Sequence, residues 1–297
     1  MITILIIKQL KKIIIMNSNI YATKWMEAAS IRGIIGKSRS IVRGTILSTS
    51  SIINKKQEDK YLRLLYCHYV FDDQIKDFEL IIKELMKIGE FVNTDTCIEM
   101  LKGEKEIDNR YFHLSFDDGF RNNFTNALPI MKKYKVPAIF FVPSSLIEAS
   151  EEDIKNYCLN TTRYNAVIEM LKWDDLREMI SQGYEIGSHT KTHARFSAIS
   201  SDKLLMEDEI IGSKKELETN LDYECKYISW PYGTLNDADD KSLDMAKTAG
   251  YKACFGAFRG SIDPMVTDIF CIPRHHFEAQ WPISHIKYFA RGNRETA

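Results

Sequence analysis

Two short segments of this chain carry residue types that bind metal ions and move protons. Asp117 and Asp118 directly follow an apolar run, and His189 and His193 lie four residues apart in Ser-His-Thr-Lys-Thr-His. Each pattern alone is common, in turns or on solvated helices. Together, one carboxylate and two imidazoles form a ligand set that suits Zn²⁺ and leaves positions for water and substrate. The other carboxylate is then available as a base, which predicts a metal-assisted hydrolase.

Two more segments follow predicted strands. Residues 229–233 read Ser-Trp-Pro-Tyr-Gly, which is either a turn with a core tryptophan or a groove wall. As a groove wall, Trp230, Pro231 and Tyr232 would pack on a sugar and turn a backbone N–H toward the reacting carbonyl. In the second segment His275 and His276 are adjacent, so one of them points inward from a strand and could act as a general acid. The sequence leaves open which one.

The hydrophobic pattern alternates between strand-like and helix-like segments. Apolar runs predict strands over residues 62–70, 111–116, 138–142, 184–187, 227–230, 253–255 and 270–272. Helical spacing predicts helices over residues 78–88, 124–134, 173–182, 201–221 and 237–249. Such alternation indicates a parallel sheet with crossover helices. Six or seven units favour an α/β barrel, whose chemistry lies at the C-terminal ends of the strands.

Composition excludes several classes of protein. The chain has 297 residues, 44% of them hydrophobic and 27% charged, and a net charge of −1, so it offers no basis for nucleic-acid binding. Its six cysteines include no CxxC pair, which predicts free thiols. We interpret residues 1–59 as a poorly specified lead-in, with Met16 as an alternative start, and 60–297 as the catalytic domain. No clear transmembrane helix or signal peptide precedes it, which favours a cytoplasmic or membrane-associated location over export.

The motifs resemble those of the polysaccharide deacetylase family, the NodB-homology group of carbohydrate esterases. Residues 115–119 match its Thr-Phe-Asp-Asp-Gly motif, and 188–193 match its Ser/Thr-His-x-x-x-His motif. Pro231 and Tyr232 match part of an Arg-x-Pro-Tyr motif, but Ser229 replaces the arginine that orients the catalytic aspartate. Arg259 or Arg274 could fill this gap. The segment 65–68 is similar to an early Tyr-His segment of many members, and we interpret its His68 as structural.

The resemblance implies a distorted TIM-like (β/α)7 barrel, the NodB-homology fold, that deacetylates an amino-sugar glycan with a divalent metal, Zn or alternatively Co or Ni. It implies Asp117 as the base and Asp118, His189 and His193 as metal ligands. Tyr232 would contribute its backbone N–H to the oxyanion, and His275 or His276 would protonate the leaving amine. The expected partner is an N-acetylated oligo- or polysaccharide. Alternatives are an O-acetyl esterase, a hydrolase of small cyclic amides or imides, and a degenerate carbohydrate-binding protein.

Overall fold

The structure is a computed structural model that describes residues 21–29 and 59–291. Most of the lead-in at 1–59, including the alternative start at Met16, therefore lies outside the described residues. Within the described part, no helix is long and apolar enough to cross a membrane.

Eight parallel strands form one sheet around a central axis. The strands are β1 (Tyr61–Cys67), β2 (Glu90–Val92), β3 (Arg110–Phe116), β4 (Ile139–Val142), β5 (Glu185–Ser188), β6 (Tyr227–Ser229), β7 (Ala253–Phe255) and β8 (His275–His276). They are ordered β7-β6-β5-β4-β3-β1-β8, and β2 pairs with β3 beside this path. Every strand pairing is parallel, as the alternation of strands and helices predicts.

The segment that contains β8 joins the two ends of the sheet. Ile272 forms a parallel bridge with Phe255 of β7, and three residues later His275 pairs with Leu65 of β1. Pro273 separates the two contacts and has no N–H to donate to a ladder. The strand predicted over 270–272 is therefore a single bridge, and the regular strand begins after the proline. The resulting seven-membered ring confirms the distorted barrel.

Helices surround this ring. They are α1 (Trp25–Ala28), α2 (Ile75–Met86), α3 (Thr94–Leu101), α4 (Leu128–Tyr134), α5 (Glu151–Asn156), α6 (Trp173–Ser181), α7 (Phe196–Ile199), α8 (Lys203–Glu207), α9 (Ser213–Leu221), α10 (Asp240–Thr248) and α11 (Ile283–Ala290). Three π-helical segments extend them at Asn123–Ala127, Tyr157–Thr161 and Asp208–Gly212. The last of these connects α8 to α9, so the helix predicted over 201–221 is continuous but locally widened.

Apolar side chains fill the ring below the strand ends. Leu64, Ile139, Phe141 and Phe255 are buried together inside it. Gly187 of β5 faces this core, where an added Cβ would lie 2.5 Å from the Phe141 ring, so the close packing requires glycine. The packed interior leaves space for chemistry only at the top, where the motif residues follow their strands.

Candidate active site

The predicted ligand residues meet at the top of the ring. Asp118 follows β3, and the Nε2 atoms of His189 and His193 lie 3.6 and 3.3 Å from its Oδ1. The three ligand atoms lie within 4.8 Å of one another, and all three residues are buried. Asp118 and His193 have φ angles of 73° and 66°, a conformation that non-glycine residues adopt at an energetic cost. The fold therefore holds both in a strained backbone geometry that converges their side chains.

The donor chemistry of this cluster fits a divalent cation. The Nδ1 of His189 lies 2.7 Å from the carbonyl oxygen of Ser229, so Nδ1–H donates there and the Nε2 lone pair faces Asp118. Burial lowers the pKa of His193, which keeps its ring neutral, as a ligand must be. Burial acts to raise the pKa of Asp118, but its interactions with His189 and His193 outweigh it and hold the pKa well below its usual range.

A buried glutamate holds the loop that carries the two histidines. Glu209, in the π-helical segment, accepts hydrogen bonds from the backbone N–H groups of Lys191 and Thr192 at 3.0 and 2.9 Å. It also accepts one from the Thr192 hydroxyl at 2.6 Å. Glu209 is not predicted from the sequence, because no local pattern links it to a loop about 17 residues earlier in the chain.

Arg274 clamps the second aspartate. Its two terminal nitrogens donate to Oδ1 and Oδ2 of Asp117 at 2.8 and 2.7 Å, and also to the hydroxyls of Ser115 and Ser229 at 2.9 and 2.6 Å. Its Nε donates to the carbonyl of Gly256 at 2.6 Å. Burial acts to raise the pKa of Asp117, but the Arg274 charge and its hydrogen bonds outweigh this, so the pKa is lowered. Of the two arginines predicted to fill the gap at Ser229, Arg274 is therefore the one that contacts Asp117.

The Trp-Pro-Tyr segment forms one side of the site. Trp230 and Tyr232 line the cleft above the ligand cluster, whereas Pro231 is buried beneath them and does not line it. Tyr232 has a φ of 65°, and among the residues that the structure describes its backbone N–H has no acceptor. Gly233 follows with a φ of 70°, where a Cβ would lie 2.1 Å from that of Ala257. This tight turn leaves the N–H of Tyr232 available to a ligand.

The two predicted acid histidines lie away from the cleft. His275 is on the strand face opposite Arg274, with its Nε2 3.3 Å from the carbonyl oxygen of Gly260; burial lowers its pKa to about 4. The His276 ring lies behind Tyr66 and His68, at 5.0 and 5.1 Å between ring centroids. Neither ring lines the cleft. The structure thus does not bring the predicted acids to the site.

His68 lines the cleft that His275 and His276 do not reach. It directly follows β1, and its ring lines the same cleft as Asp117 and Asp118. Our interpretation of His68 as structural rested on weak local signals, and only the pairing of β1 beside β3 places its ring beside the aspartates. The whole cleft has a volume of about 600 Å³, within the range of roughly 300–1,000 Å³ that small-molecule sites occupy.

Comparison with known proteins agrees with this geometry. A sequence model of the polysaccharide deacetylase family matches residues 104–254. The poly-beta-1,6-N-acetyl-D-glucosamine N-deacetylase of Staphylococcus aureus (strain MRSA252) is 29% identical over 211 residues, which are 69% of this chain and 64% of that protein. This chain thus spans slightly under two thirds of the relative's length.

Two solved structures share the fold. IcaB from Ammonifex degensii superposes with a TM-score of 0.65 at 21% identity, over 80% of this chain and 99% of that one. A de-N-acetylase from Aggregatibacter actinomycetemcomitans gives 0.63 at 21% identity, over 77% and 99%. The family match spans both aspartates and both histidines of the cluster, while β1 and Arg274 lie outside it. With its motif residues converging at the top of the ring, this chain belongs to the polysaccharide deacetylase family.

Proposed function

We propose that this protein hydrolyses N-acetyl groups of an amino-sugar glycan with the help of a divalent cation. The observation that carries the proposal is the pair formed by Asp117 and Asp118: one carboxylate is clamped by Arg274 and the other faces two histidines. The family relationship and the named activity of the Staphylococcus aureus relative support an N-acetylated glycan as the substrate.

The cation would be held by Asp118, His189 and His193. Two imidazole nitrogens and one carboxylate suit Zn²⁺, with Co²⁺ or Ni²⁺ as alternatives. When bound, the cation would polarise the acetyl carbonyl and acidify water.

The protein's own residues supply the proton transfers. Asp117 accepts the proton of the attacking water, and the double hydrogen bond from Arg274 fixes the direction of its oxygens. The backbone N–H of Tyr232 donates to the oxygen that becomes negatively charged, a type of contact that contributes about 3–4 kcal/mol in other hydrolases. His68 donates a proton to the departing sugar amine, in place of His275 or His276.

The arrangement also bears on the alternatives. All five N–H donors of Arg274 are used in hydrogen bonds, and two of them fix the orientation of Asp117. A protein that only binds carbohydrate does not need an aspartate held in this way. An O-acetyl esterase would use the same residues, so it differs only in the bond that is hydrolysed.

The test is acetate release from N-acetylated and O-acetylated glycans after metal stripping and add-back of Zn²⁺, Co²⁺ or Ni²⁺. We expect release from N-acetylated glycans only when metal is restored. Asp117→Asn should lose turnover yet retain metal, whereas His189→Ala should lose metal. Release from O-acetylated glycans alone would favour the esterase, and metal-independent release would overturn the proposal.

A further inference from the structure

A smaller cavity lies next to the cleft and shares His68 with it. Its volume is about 160 Å³, and it is lined by Trp25, Ala29, Tyr69 and Glu278 together with four residues that also line the cleft. We call it the side cavity. The shared residues are His68, Thr162, Arg163 and Tyr164. Because the two spaces share these lining side chains, they are neighbours, and the side cavity is the nearest described place for the sugar next to one that lies over Asp117.

Residues 21–29 build one wall of this cavity although they fall within the predicted lead-in. The backbone of this segment is tied to the 165–167 region, with Ala22 N–H donating to the Val167 carbonyl at 2.8 Å and Asn165 N–H to that of Ala28 at 2.9 Å. The N–H of Trp25 donates to Asp73 at 3.0 Å, and the tryptophan is only 3% exposed. The wall is thus packed and hydrogen-bonded in place.

Aromatic rings provide the remaining walls. The rings of Tyr69 and Tyr164 meet edge to face with centroids 5.8 Å apart, and Trp25 packs in the same apolar cluster as Tyr69. A volume of about 160 Å³ is below the roughly 300–1,000 Å³ of sites for drug-sized ligands, and it suits one sugar ring. Aromatic faces also attract ammonium groups.

Glu278 is the acidic group of the side cavity. Its side chain is 24% exposed, and its nearest histidine nitrogen, Nε2 of His276, lies 3.9 Å away. Burial lowers the pKa of His276 well below its usual range, so that ring is neutral. Gln280 donates a hydrogen bond to the carboxylate, and Tyr69 forms another with it. Across residues 21–29 and 59–291, no lysine or arginine forms an ion pair with it.

We propose that the side cavity binds a sugar whose amine is already free, with its ammonium group facing Glu278. This inference rests on the proposed function and names the substrate more closely: a partly deacetylated glycan, in which an acetylated sugar lies next to a deacetylated one. A partly buried carboxylate that no described lysine or arginine pairs with is stabilised by a ligand that supplies a positive charge. An acetamido group at the same place supplies no charge.

Arg163 is the one lysine or arginine that lines the side cavity in the described part of the chain. It is exposed to solvent, which weakens its repulsion of a bound ammonium. Glu278 is the one acidic side chain among the lining residues that the structure describes. An anionic sugar in the side cavity is the opposite outcome, and the following experiment distinguishes the two.

The test compares β-1,6-linked N-acetylglucosamine trimers with and without one deacetylated sugar, using the metal-loaded full chain. We expect kcat/KM per acetylated sugar to be roughly tenfold higher for the partly deacetylated trimer, the factor that about 1.4 kcal/mol provides. Glu278→Gln should abolish this ratio, and Glu104→Gln, at an exposed position, should preserve it. Each variant is tested on both trimers, so a general loss of rate caused by changing a neighbour of His68 affects both kcat/KM values equally and leaves their ratio unchanged.

A binding measurement separates this inference from the proposed function. We expect calorimetry to show tighter binding of a glucosamine trimer, which has no acetyl group, than of its fully acetylated counterpart, with the difference lost in Glu278→Gln. Equal or reversed preference in the wild type, or an unchanged preference in Glu278→Gln, would overturn the inference. If the binding preference is found but no acetate is released from either of the acetylated trimers used in the kinetic test, the proposed function fails and the site stands.

Discussion

Arg274 makes more hydrogen bonds than any simple ion pair would require. Its five N–H donors reach Asp117 twice, two serine hydroxyls and a backbone carbonyl, and the side chain is 0% exposed. Ser229, the residue that replaces the expected arginine, is one of these acceptors. The guanidinium of Arg274, the residue directly before β8, lies beside Ser229. The small serine side chain leaves space for it. The clamp on Asp117 is thus retained from a different position in the chain.

This geometry predicts a steep loss of activity in Arg274→Lys. A lysine keeps the positive charge but has no planar fork, so the oxygens of Asp117 lose their fixed direction. We expect kcat to fall by about 100-fold, as misplacement of a reacting group by about 1 Å can cause. Metal content, measured by elemental analysis, should be unchanged because Asp118 and its histidines are untouched. Wild-type kcat in Arg274→Lys would contradict the positioning role.

Histidine substitutions separate the candidate acids. His68 lines the cleft, whereas His275 faces the carbonyl of Gly260. Because general acid catalysis contributes about 10²–10⁴-fold, we expect His68→Gln to lower kcat within that range and His275→Gln to leave it near the wild-type value. Equal losses would show that the position at the cleft does not identify the acid. Steady-state kinetics on one N-acetylated substrate makes the comparison.

At the scale of elements, the π-helical segment Asp208–Gly212 contributes to the site without lining it. Its Glu209 is 2% exposed and holds two backbone N–H groups between the ligand histidines. Removing the carboxylate takes away the partner of both donors, which lie in a partly exposed stretch of the loop. The helix thus determines how well His189 and His193 are oriented.

We therefore expect Glu209→Ala to weaken Zn²⁺ binding by about 10–100-fold, the usual effect of removing a group that orients ligands. Competition with a chromogenic chelator measures this. The matched control is Glu207→Ala in the preceding turn of the helix, since among the described residues the Glu207 side chain forms an ion pair with Lys203 at 3.6 Å and none with the histidine loop. Loss of affinity in the control as well would indicate a general effect on the helix instead.

Elements differ in how well local sequence predicts them. Strands β3 to β7 are short apolar runs bounded by turn residues, and each is found within a residue or two of its predicted position. Helix α3 is not predicted from the sequence. The Asn93 side chain caps it by accepting a hydrogen bond from the Thr96 N–H. However, only four of its eight residues are apolar and buried, so its hydrophobic pattern is weak. Residues 21–29 carry no pattern of their own, because their packing depends on contacts with Asp73 and Val167.

The same contrast applies to the site. Asp117, Asp118, His189 and His193 were found because the fold keeps each pair within one loop, so that local spacing records their geometry. Arg274 is 157 residues from Asp117, and Glu209 and His68 also act across elements. Their contributions follow from strand order and pairing, which determine which strand ends are neighbours. Local spacing does not contain this information.

At the scale of the whole molecule, the interior of the ring contains a histidine that must stay neutral. His113 of β3 is 1% exposed; its Nε2 lies 3.0 Å from the Thr94 hydroxyl, which in turn donates to Glu185 at 2.7 Å. Its ring stacks on Phe255 with centroids 5.7 Å apart. Burial, with a smaller contribution from the charge of Arg274, lowers the pKa of His113 to about 3.

This lowered pKa predicts that the fold loses stability in mild acid. The unfolded chain protonates His113 below about pH 6.5, while the folded chain resists protonation until about pH 3, so stability falls as pH drops between these values. At pH 5 the expected loss from this group is about 2 kcal/mol. Urea unfolding at pH 7 and pH 5 measures it, and His113→Gln should reduce the difference between the two pH values by about that amount. The amide of glutamine can still bond Thr94 and does not titrate, so an equal pH dependence in both proteins would mean that His113 does not carry the effect.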